Sequence, residues 1–177
     1  GSSVWAFSDL FEEFHQFPQE FHGGFGLLTQ SGIKKPSYHA LEELSRAGDE
    51  ICVLTSENTK IDAAVIKKEN SLTLVLSYLE FEPCGKAENI NISLELPAEP
   101  EKVSVLRIDE EHANPFKVWC GHGAKEVPNY EECEKIKRLS APKREELEYT
   151  FADGVLNAGI TLPENGICFV RIEFNKP

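Results

Sequence analysis

The feature that most constrains this fold is a change of sequence pattern near residue 48, from one strand–loop–helix unit to a run of short alternating strands. Val4–Phe7 is a short apolar run, which predicts a strand buried on both faces, as in a parallel sheet or barrel. The aromatic stretch from Leu10 to Thr29 shows no sustained period. It therefore predicts a long loop, and loops of that length in compact domains usually have a function.

A helix is predicted directly after this loop. Pro36 suits its first turn, and Gly48 suits the position just past its last turn. Between them an apolar stripe recurs at helical spacing, made of Tyr38, Leu41 and Leu44, with Ala40 and Ala47 as further candidate members. Because a single β/α unit cannot bury its own faces, residues 1–48 must pack on another structure.

From residue 49 onward, apolar and polar residues alternate in short runs separated by turn-forming residues. The predicted strands are Ile51–Thr55, Ile61–Lys67, Ser71–Phe81, Ile90–Leu96, Val103–Ile108, Leu147–Phe151, Val155–Leu162 and Ile167–Phe174. One helix, Tyr130–Ser140 with Asn129 as its cap, interrupts them. The pattern predicts a mainly β fold, an antiparallel β-sandwich preceded by one β/α unit.

The charge and cysteine content narrow the range of partners. With 18 basic and 30 acidic residues the net charge is −12, which repels phosphate backbones and anionic lipids. Nucleic acids and membranes are therefore not expected partners. The five cysteines are widely spaced and form no C-x-x-C pair, which favours reduced thiols in a cytoplasmic protein. No glycine-rich phosphate loop is present, and no cofactor is expected.

Aromatic and acidic residues lie together around the end of the first predicted strand. If Val4–Phe7 belongs to a barrel, then Asp9, Glu12 and Glu13 lie at its carboxyl end, the face that carries the active site in such barrels. The indole of Trp5 suits stacking on a pyranose, and carboxylates accept hydrogen bonds from sugar hydroxyls. The pattern indicates a sugar site, and core aromatics beside solvated acids are the alternative interpretation.

Two further polar clusters give no prediction of a site. The first contains four residues of types that bind zinc, His112, Cys120, His122 and Cys133. Their spacing matches no zinc pattern, so no metal site is predicted. The second, Asp109–His112, is interpreted as polar residues at a domain junction, with Arg107 paired to one of the acids.

Three motifs in order resemble one enzyme family. They are Trp5–Glu13 (WAFSDLFEE), Phe21–Leu28 (FHGGFGLL) and Lys35–Ala40 (KPSYHA). Together they are similar to the last barrel strand, loop and helix of glycoside hydrolase family 39, which holds β-xylosidases and α-L-iduronidases. A later run, Arg107–Asn114 followed by Val118-Trp119, resembles the accessory β-sandwich of the bacterial β-xylosidases.

The resemblance implies a division of the chain and a set of residue roles. Residues 1–48 would be the last strand, loop and helix of a TIM barrel, and residues 49–177 the accessory β-sandwich. Trp5 would lie under the reacting sugar, Glu12 and Glu13 would accept hydrogen bonds from its hydroxyls, and His22 would lie on the same rim. The nucleophile and the acid/base of this retaining family lie on earlier strands. No residue of this chain matches either of them, so no catalytic residue is assigned.

These roles lead to the functional expectations. The full-length protein is expected to remove β-xylosyl units from xylo-oligosaccharides, and the 177-residue chain alone is expected to be inactive. Apolar side chains left without barrel partners, such as Val4 and Phe7, favour self-association into a homo-oligomer. The alternatives are a free-standing carbohydrate-binding or scaffolding β-sandwich module, and the iduronidase activity of the same family.

Overall fold

The computed structural model describes residues 3–10, 19–54 and 58–175. Over these ranges the chain forms three helices and nine strands. The helices are α1 (Pro36–Ala47), α2 (Pro115–Gly121) and α3 (Tyr130–Leu139). The strands are β1 (Glu50–Leu54), β2 (Ile61–Lys68), β3 (Ser71–Tyr78), β4 (Ala87–Glu95), β5 (Lys102–Ile108), β6 (Arg144–Glu146), β7 (Tyr149–Ala152), β8 (Val155–Pro163) and β9 (Gly166–Glu173).

The strands form two antiparallel sheets, and the predicted β-sandwich is confirmed. One sheet has the order β1-β2-β3-β9-β5-β6, and the other has the order β4-β8-β7. The alternating pattern of the sequence places one face of each strand between the sheets, where Leu156, Leu162, Val170 and Ile172 are at most 1% exposed. Burial of this shared apolar layer is the main stabilising term of the fold.

The other face of the larger sheet is covered in part by α1. Phe169 is fully buried there, in a cluster against which Ala40 of the helix packs. Arg144 on β6 donates to the Glu43 carboxylate of α1 and to the Phe169 carbonyl oxygen. Gly48 ends the helix with φ 142°, and a Cβ at this position would overlap the Lys67 carbonyl. The helix is thereby fixed against the sheet.

A helical insertion, residues 109–140, connects β5 to β6. The prediction of α3 is confirmed, and Asn129 and Glu132 form a reciprocal capping box at its start. Helix α2 was not predicted, although Asn114 caps it and Pro115 begins it. The two helices bury a small second core of Ile33, Trp119, Cys133 and Ile136.

The predicted strand at Val4–Phe7 is wrong for this structure. Among the described residues of this region, Ser8 forms one isolated parallel bridge to Leu28, and Leu28 forms one antiparallel bridge to Lys34. A strand needs a ladder of backbone partners on a neighbouring strand, and only single bridges are available here. Phe7 is 67% exposed, so the described part of the chain does not cover this apolar run.

The predicted apolar stripe of α1 is also only partly correct. The buried residues of α1 are His39 and Ala47, whereas Leu44 is 37% exposed. Ala40 packs on the cluster around Phe169 and Glu43 pairs with Arg144 of β6, so a small and a polar side chain take the positions next to the sheet. No helix among the described residues has both the length and the apolar character needed to cross a membrane.

Candidate functional site

The predicted sugar-site residues fall into three situations. The side chain of Trp5 is open to solvent, with 81% of its surface exposed. The His22 side chain is only 11% exposed, and its Nε2 lies 4.0 Å from Oδ2 of Asp9. Glu12 and Glu13 lie outside the described residues. Their assignment, like that of Trp5 and His22 to a sugar rim, stays a prediction.

Asp9 is a buried charged residue of this region. Its carboxylate side chain is fully inaccessible, and Oδ1 accepts the Gly26 backbone N–H at 2.9 Å. Lys35 Nζ donates to Oδ1 at 2.7 Å and lies 2.7 Å from Oδ2. The same ammonium donates to the Gly24 carbonyl oxygen at 2.9 Å. We call this set of contacts the Asp9–Lys35 latch.

Two glycines make the latch sterically possible. A Cβ on Gly24 would come 2.6 Å from Oδ1 of Asp9 and 2.7 Å from Cε1 of His22. A Cβ on Gly26 would overlap the backbone of Ser8 and Asp9. Such close approach of two backbone segments leaves no space for a side chain. Gly24 and Gly26 of the FHGGFGLL motif are therefore explained by the packing of this loop on Ser8 and Asp9.

Glu20 anchors the described start of the same loop. Its carboxylate accepts the Ser31 backbone N–H at 3.0 Å and the Ser31 hydroxyl at 2.8 Å. Its own backbone N–H donates to the Glu126 carbonyl oxygen at 2.9 Å, which joins the loop to the helical insertion. Glu20 is 4% exposed, and hydrogen bonds of this kind are needed to hold a buried carboxylate.

An aromatic clamp holds Phe21, the residue directly before His22. The Phe21 ring centroid lies 5.3 Å from that of Trp119 and 5.8 Å from that of Phe116, both on α2. Trp119 is 4% exposed, and its indole Nε1 donates to the Lys125 carbonyl oxygen. Offset and edge-on ring pairs at these distances are favourable. The insertion from the β-sandwich thus sets the position of the loop that carries His22.

The cluster at Asp109–His112 forms a turn. Oδ1 of Asp109 accepts the backbone N–H groups of Glu111 and His112, and Nδ1 of His112 lies 2.8 Å from the same oxygen. The predicted pairing of Arg107 with an acid of this cluster is wrong, since Arg107 pairs with Glu145 at 3.0 Å. β6 lies beside β5 and presents Glu145 to Arg107.

The sequence analysis considered His112, Cys120, His122 and Cys133 for zinc and predicted no metal site there. Within the described ranges, no group of three or more His, Cys, Asp or Glu side chains is placed to hold a metal ion. The cysteines form no disulfide in the part of the chain that the structure describes. Burial raises the pKa of the Cys168 thiol to about 12, so this thiol stays protonated and packs in the core.

A feature that sequence reasoning missed lies on the sandwich. Oε2 of Glu164 accepts three consecutive backbone N–H groups, from Cys84 and Gly85 at 2.8 Å and from Lys86 at 3.2 Å. Desolvation opposes ionisation of Glu164, but these hydrogen bonds outweigh it and hold the pKa below its usual value. The contact fixes residues 83–87 beside a groove of about 590 Å³ that reaches the start of α1.

The described amino-terminal residues carry groups of the kinds that contact ligands in proteins. They provide an open indole at Trp5, a histidine that packs on a buried carboxylate, and a loop fixed by the latch, Glu20 and the clamp. The packing of Gly24 and Gly26 leaves Phe25 pointing outward with 74% exposure. Flat apolar faces next to polar groups are typical of carbohydrate contacts.

Comparison with known proteins gives a consistent result. The family model described as "Glycosyl hydrolases family 39" matches residues 1–157. A β-xylosidase of Caldicellulosiruptor saccharolyticus is 36% identical over 159 residues, which are 88% of this chain and 32% of that protein. A β-xylosidase of Geobacillus stearothermophilus is 30% identical over 173 residues, or 97% of this chain and 33% of that protein. The chain thus spans about a third of the length of the curated relatives it matches.

A solved structure supports the fold. The crystal structure of a family 39 enzyme from Xanthomonas axonopodis pv. citri superposes with a TM-score of 0.71 at 16% identity. The match covers 97% of this chain and 36% of that enzyme. At this identity the likeness concerns the fold alone, and it agrees with the mainly β architecture described above.

Proposed function

The chain belongs to glycosyl hydrolase family 39, and from that membership we propose that the whole protein is a retaining β-xylosidase that acts on xylo-oligosaccharides. The observation that carries this proposal is the similarity to the β-xylosidase of Caldicellulosiruptor saccharolyticus along 88% of the chain. Because the chain spans a third of that relative, the activity is proposed for a protein that also has the remaining two thirds.

Within that protein, residues 1–48 contribute part of the sugar-binding rim. Trp5 stacks on the sugar in the subsite where cleavage occurs, and Glu12 and Glu13 accept hydrogen bonds from its hydroxyls. His22 contributes at the edge of the same subsite. The exposure of Trp5 on a segment that is otherwise tied down supports this role, since an indole left in water gains from covering a flat apolar ligand face.

The carboxylates that cleave the bond lie elsewhere in the whole protein. A retaining glycosidase needs a nucleophile and an acid/base about 5 Å apart on either side of the glycosidic bond. None of the residues to which we give a role here is either of these two groups. We therefore propose that the 177-residue chain is inactive alone, and that it binds xylobiose very weakly because it supplies only one side of the subsite.

The test compares two proteins with one aryl β-xyloside. The protein expressed from its complete gene should release the aryl group, and the 177-residue chain should match the buffer blank. Trp5→Ala in the complete protein should raise KM by about tenfold or more, because it removes the apolar burial of the indole as well as roughly 1 kcal/mol of stacking. Phe81→Ala is the aromatic control, since Phe81 is 88% exposed on the sandwich and has no role in the proposed site. Turnover by the isolated chain would refute the proposal.

Calorimetry with xylobiose separates this proposal from a carbohydrate-binding module. A self-sufficient module binds measurably as the isolated chain, whereas a partial rim gives no heat of binding above dilution. Aryl α-iduronide hydrolysis by the complete protein, with no β-xyloside turnover, would instead assign the other activity of the family.

Self-association and location in the cytoplasm belong to the same proposal. Val4, Trp5 and Phe7 are 46%, 81% and 67% exposed, and such neighbouring apolar side chains favour association. Light scattering of the isolated chain should show species larger than a monomer, and the triple change to Ser at these positions should reduce them. A monomer at all concentrations would contradict this part.

A further inference from the structure

The Asp9–Lys35 pair is unusual for a surface loop because it is buried. The side chains are 0% and 15% exposed, and the charged atoms lie 2.7 Å apart. Removing two charges from water costs about as much as their attraction returns, so a buried pair is a poor device for stability alone. Lys60 and Glu80, also 2.7 Å apart, are 47% and 24% exposed and show the ordinary surface form of such a pair.

Within the described residues, the other side-chain contacts of the buried pair go to one short stretch, residues 22–26, which we call the loop apex. Lys35 Nζ donates to the Gly24 carbonyl oxygen, and Oδ1 of Asp9 accepts the Gly26 N–H. Oδ2 of Asp9 lies 4.0 Å from Nε2 of His22. The pair therefore connects both ends of the apex to Asp9, four residues after Trp5 on the same short run.

We propose that Asp9 and Lys35 are positioning residues of the sugar site, because their ion pair sets where the loop apex stands relative to Trp5. This inference rests on the proposed function, and it says how the loop apex, as part of the sugar-binding rim, is held in position. Neither residue contacts the sugar in this scheme. They act through His22 and through the backbone of Gly24 and Gly26, which they fix before the ligand arrives.

The effect on binding follows from preorganisation. A loop that is already ordered loses little conformational freedom when a ligand binds, whereas a loosened loop must be ordered at the expense of affinity. The catalytic carboxylates lie outside this loop, so loosening it weakens substrate binding more than it slows bond cleavage. A displacement of about 1 Å at such a site lowers efficiency by up to about 100-fold.

The kinetic test uses the protein expressed from its complete gene and an aryl β-xyloside. Lys35→Met leaves the Asp9 carboxylate buried without its counter-ion, and it should raise KM about tenfold or more with kcat within about threefold of the wild type. The double variant Asp9→Asn with Lys35→Met restores a neutral buried pair. It should recover at least half of the lost affinity on a logarithmic scale, because the carboxamide oxygen that Asp9→Asn introduces can still accept the Gly26 N–H.

The matched controls are Lys60→Met and Glu80→Gln, which make the same kind of chemical change in the exposed pair. Both should keep KM and kcat at the wild-type values. An equal KM for Lys35→Met and Lys60→Met overturns the inference. A fall in kcat at unchanged KM overturns it as well, since that pattern places the pair in the chemical step.

A second measurement is independent of activity. Amide hydrogen exchange in the 177-residue chain should show that Lys35→Met speeds exchange of the Gly26 N–H by about tenfold or more, while core amides such as that of Val170 keep their protection. Unchanged exchange at Gly26 overturns the inference. If the wild-type complete protein lacks xylosidase activity, the proposed function fails, and the exchange result still decides whether the pair holds the apex.

Discussion

The β-sandwich and the amino-terminal segment, residues 3–10 and 19–48, are held together in different ways. The sandwich shares one continuous apolar core between two fully paired sheets. The amino-terminal segment has two isolated bridges, one buried ion pair, and glycines packed against backbone. Its large apolar side chains at Trp5, Phe7 and Phe25 are exposed.

The comparison teaches that stability and the candidate site lie in different parts of the chain. The sandwich can lose contact with the amino-terminal segment and keep its core, because the buried residues of that core come from residues 50–175. The reverse does not hold. The loop before α1 depends on α2, which extends from the sandwich and supplies Phe116 and Trp119.

The strongest test of this difference is Leu156→Ala in the sandwich. Leu156 is fully buried between the sheets, so truncation removes apolar burial and leaves a cavity. We expect the free energy of unfolding to fall by about 3–5 kcal/mol, with loss of protection throughout the molecule. Urea unfolding measures the change. Leu79→Ala is the control, since Leu79 is 60% exposed and should change stability by less than about 0.5 kcal/mol.

Trp119→Ala should have a smaller and more local effect. The indole fills the second core between Ile33 and Ile136 and contacts Phe21, so its loss opens the packing of the loop on α2 and α3. We expect a local cost of about 3 kcal/mol. Hydrogen exchange should show lost protection at residues 19–33 and unchanged protection in β3 and β9. Equal loss in both regions would show that the two parts form one cooperative unit.

Much of the sandwich could be predicted from the sequence, because alternation of apolar and polar residues reports which face of a strand is buried. The strands β1 to β5 and β7 to β9 were located in this way. The strand β6 was missed because Arg144–Glu146 carries three charges and pairs only with β5 at an edge. Helix α2 was missed because seven residues give too short a period to detect.

The candidate site could be predicted only in outline. The aromatic-acidic motif indicated the region, but its key contact joins Asp9 to Lys35, which are 26 positions apart and share no local period. The glycines at 24 and 26 were the one sequence signal of the close backbone approach. The predicted strand at Val4–Phe7 is not formed in this structure. An apolar run predicts that its side chains are buried, but it does not identify the neighbouring strand that must pair with its backbone.

Gly26→Ala tests the close packing in the amino-terminal segment. The new Cβ would overlap the backbone of Ser8 and Asp9, so the loop has to move away from the latch. We expect a local cost of about 1–3 kcal/mol, as for overpacking elsewhere, seen as faster exchange of the Gly26 and Asp9 amides. Gly159→Ala is the matched control. No atom lies within 4 Å of a Cβ there, and that variant should be neutral or slightly more stable.

The smallest expected effect concerns His39 of α1, which is 5% exposed. Burial is the largest cause that lowers the pKa of His39, and the Lys34 charge lowers it further, while Glu42 and Glu43 raise it. The unfolded chain, with a pKa of about 6.5, therefore binds the proton more readily than the folded one. Stability from this residue is complete above about pH 6.5 and decreases as the pH falls below that value. One proton limits the slope to about 1.4 kcal/mol per pH unit.

Urea unfolding at pH 7.5 and 5.5 measures this contribution. His39→Gln should remove part of the acid destabilisation, because the side chain it introduces takes up no proton in this range. His122→Gln is the control at an exposed position, and it should leave the acid destabilisation in place. Identical pH dependence in both variants would mean that protonation of His39 does not weaken the contact between α1 and the sheet.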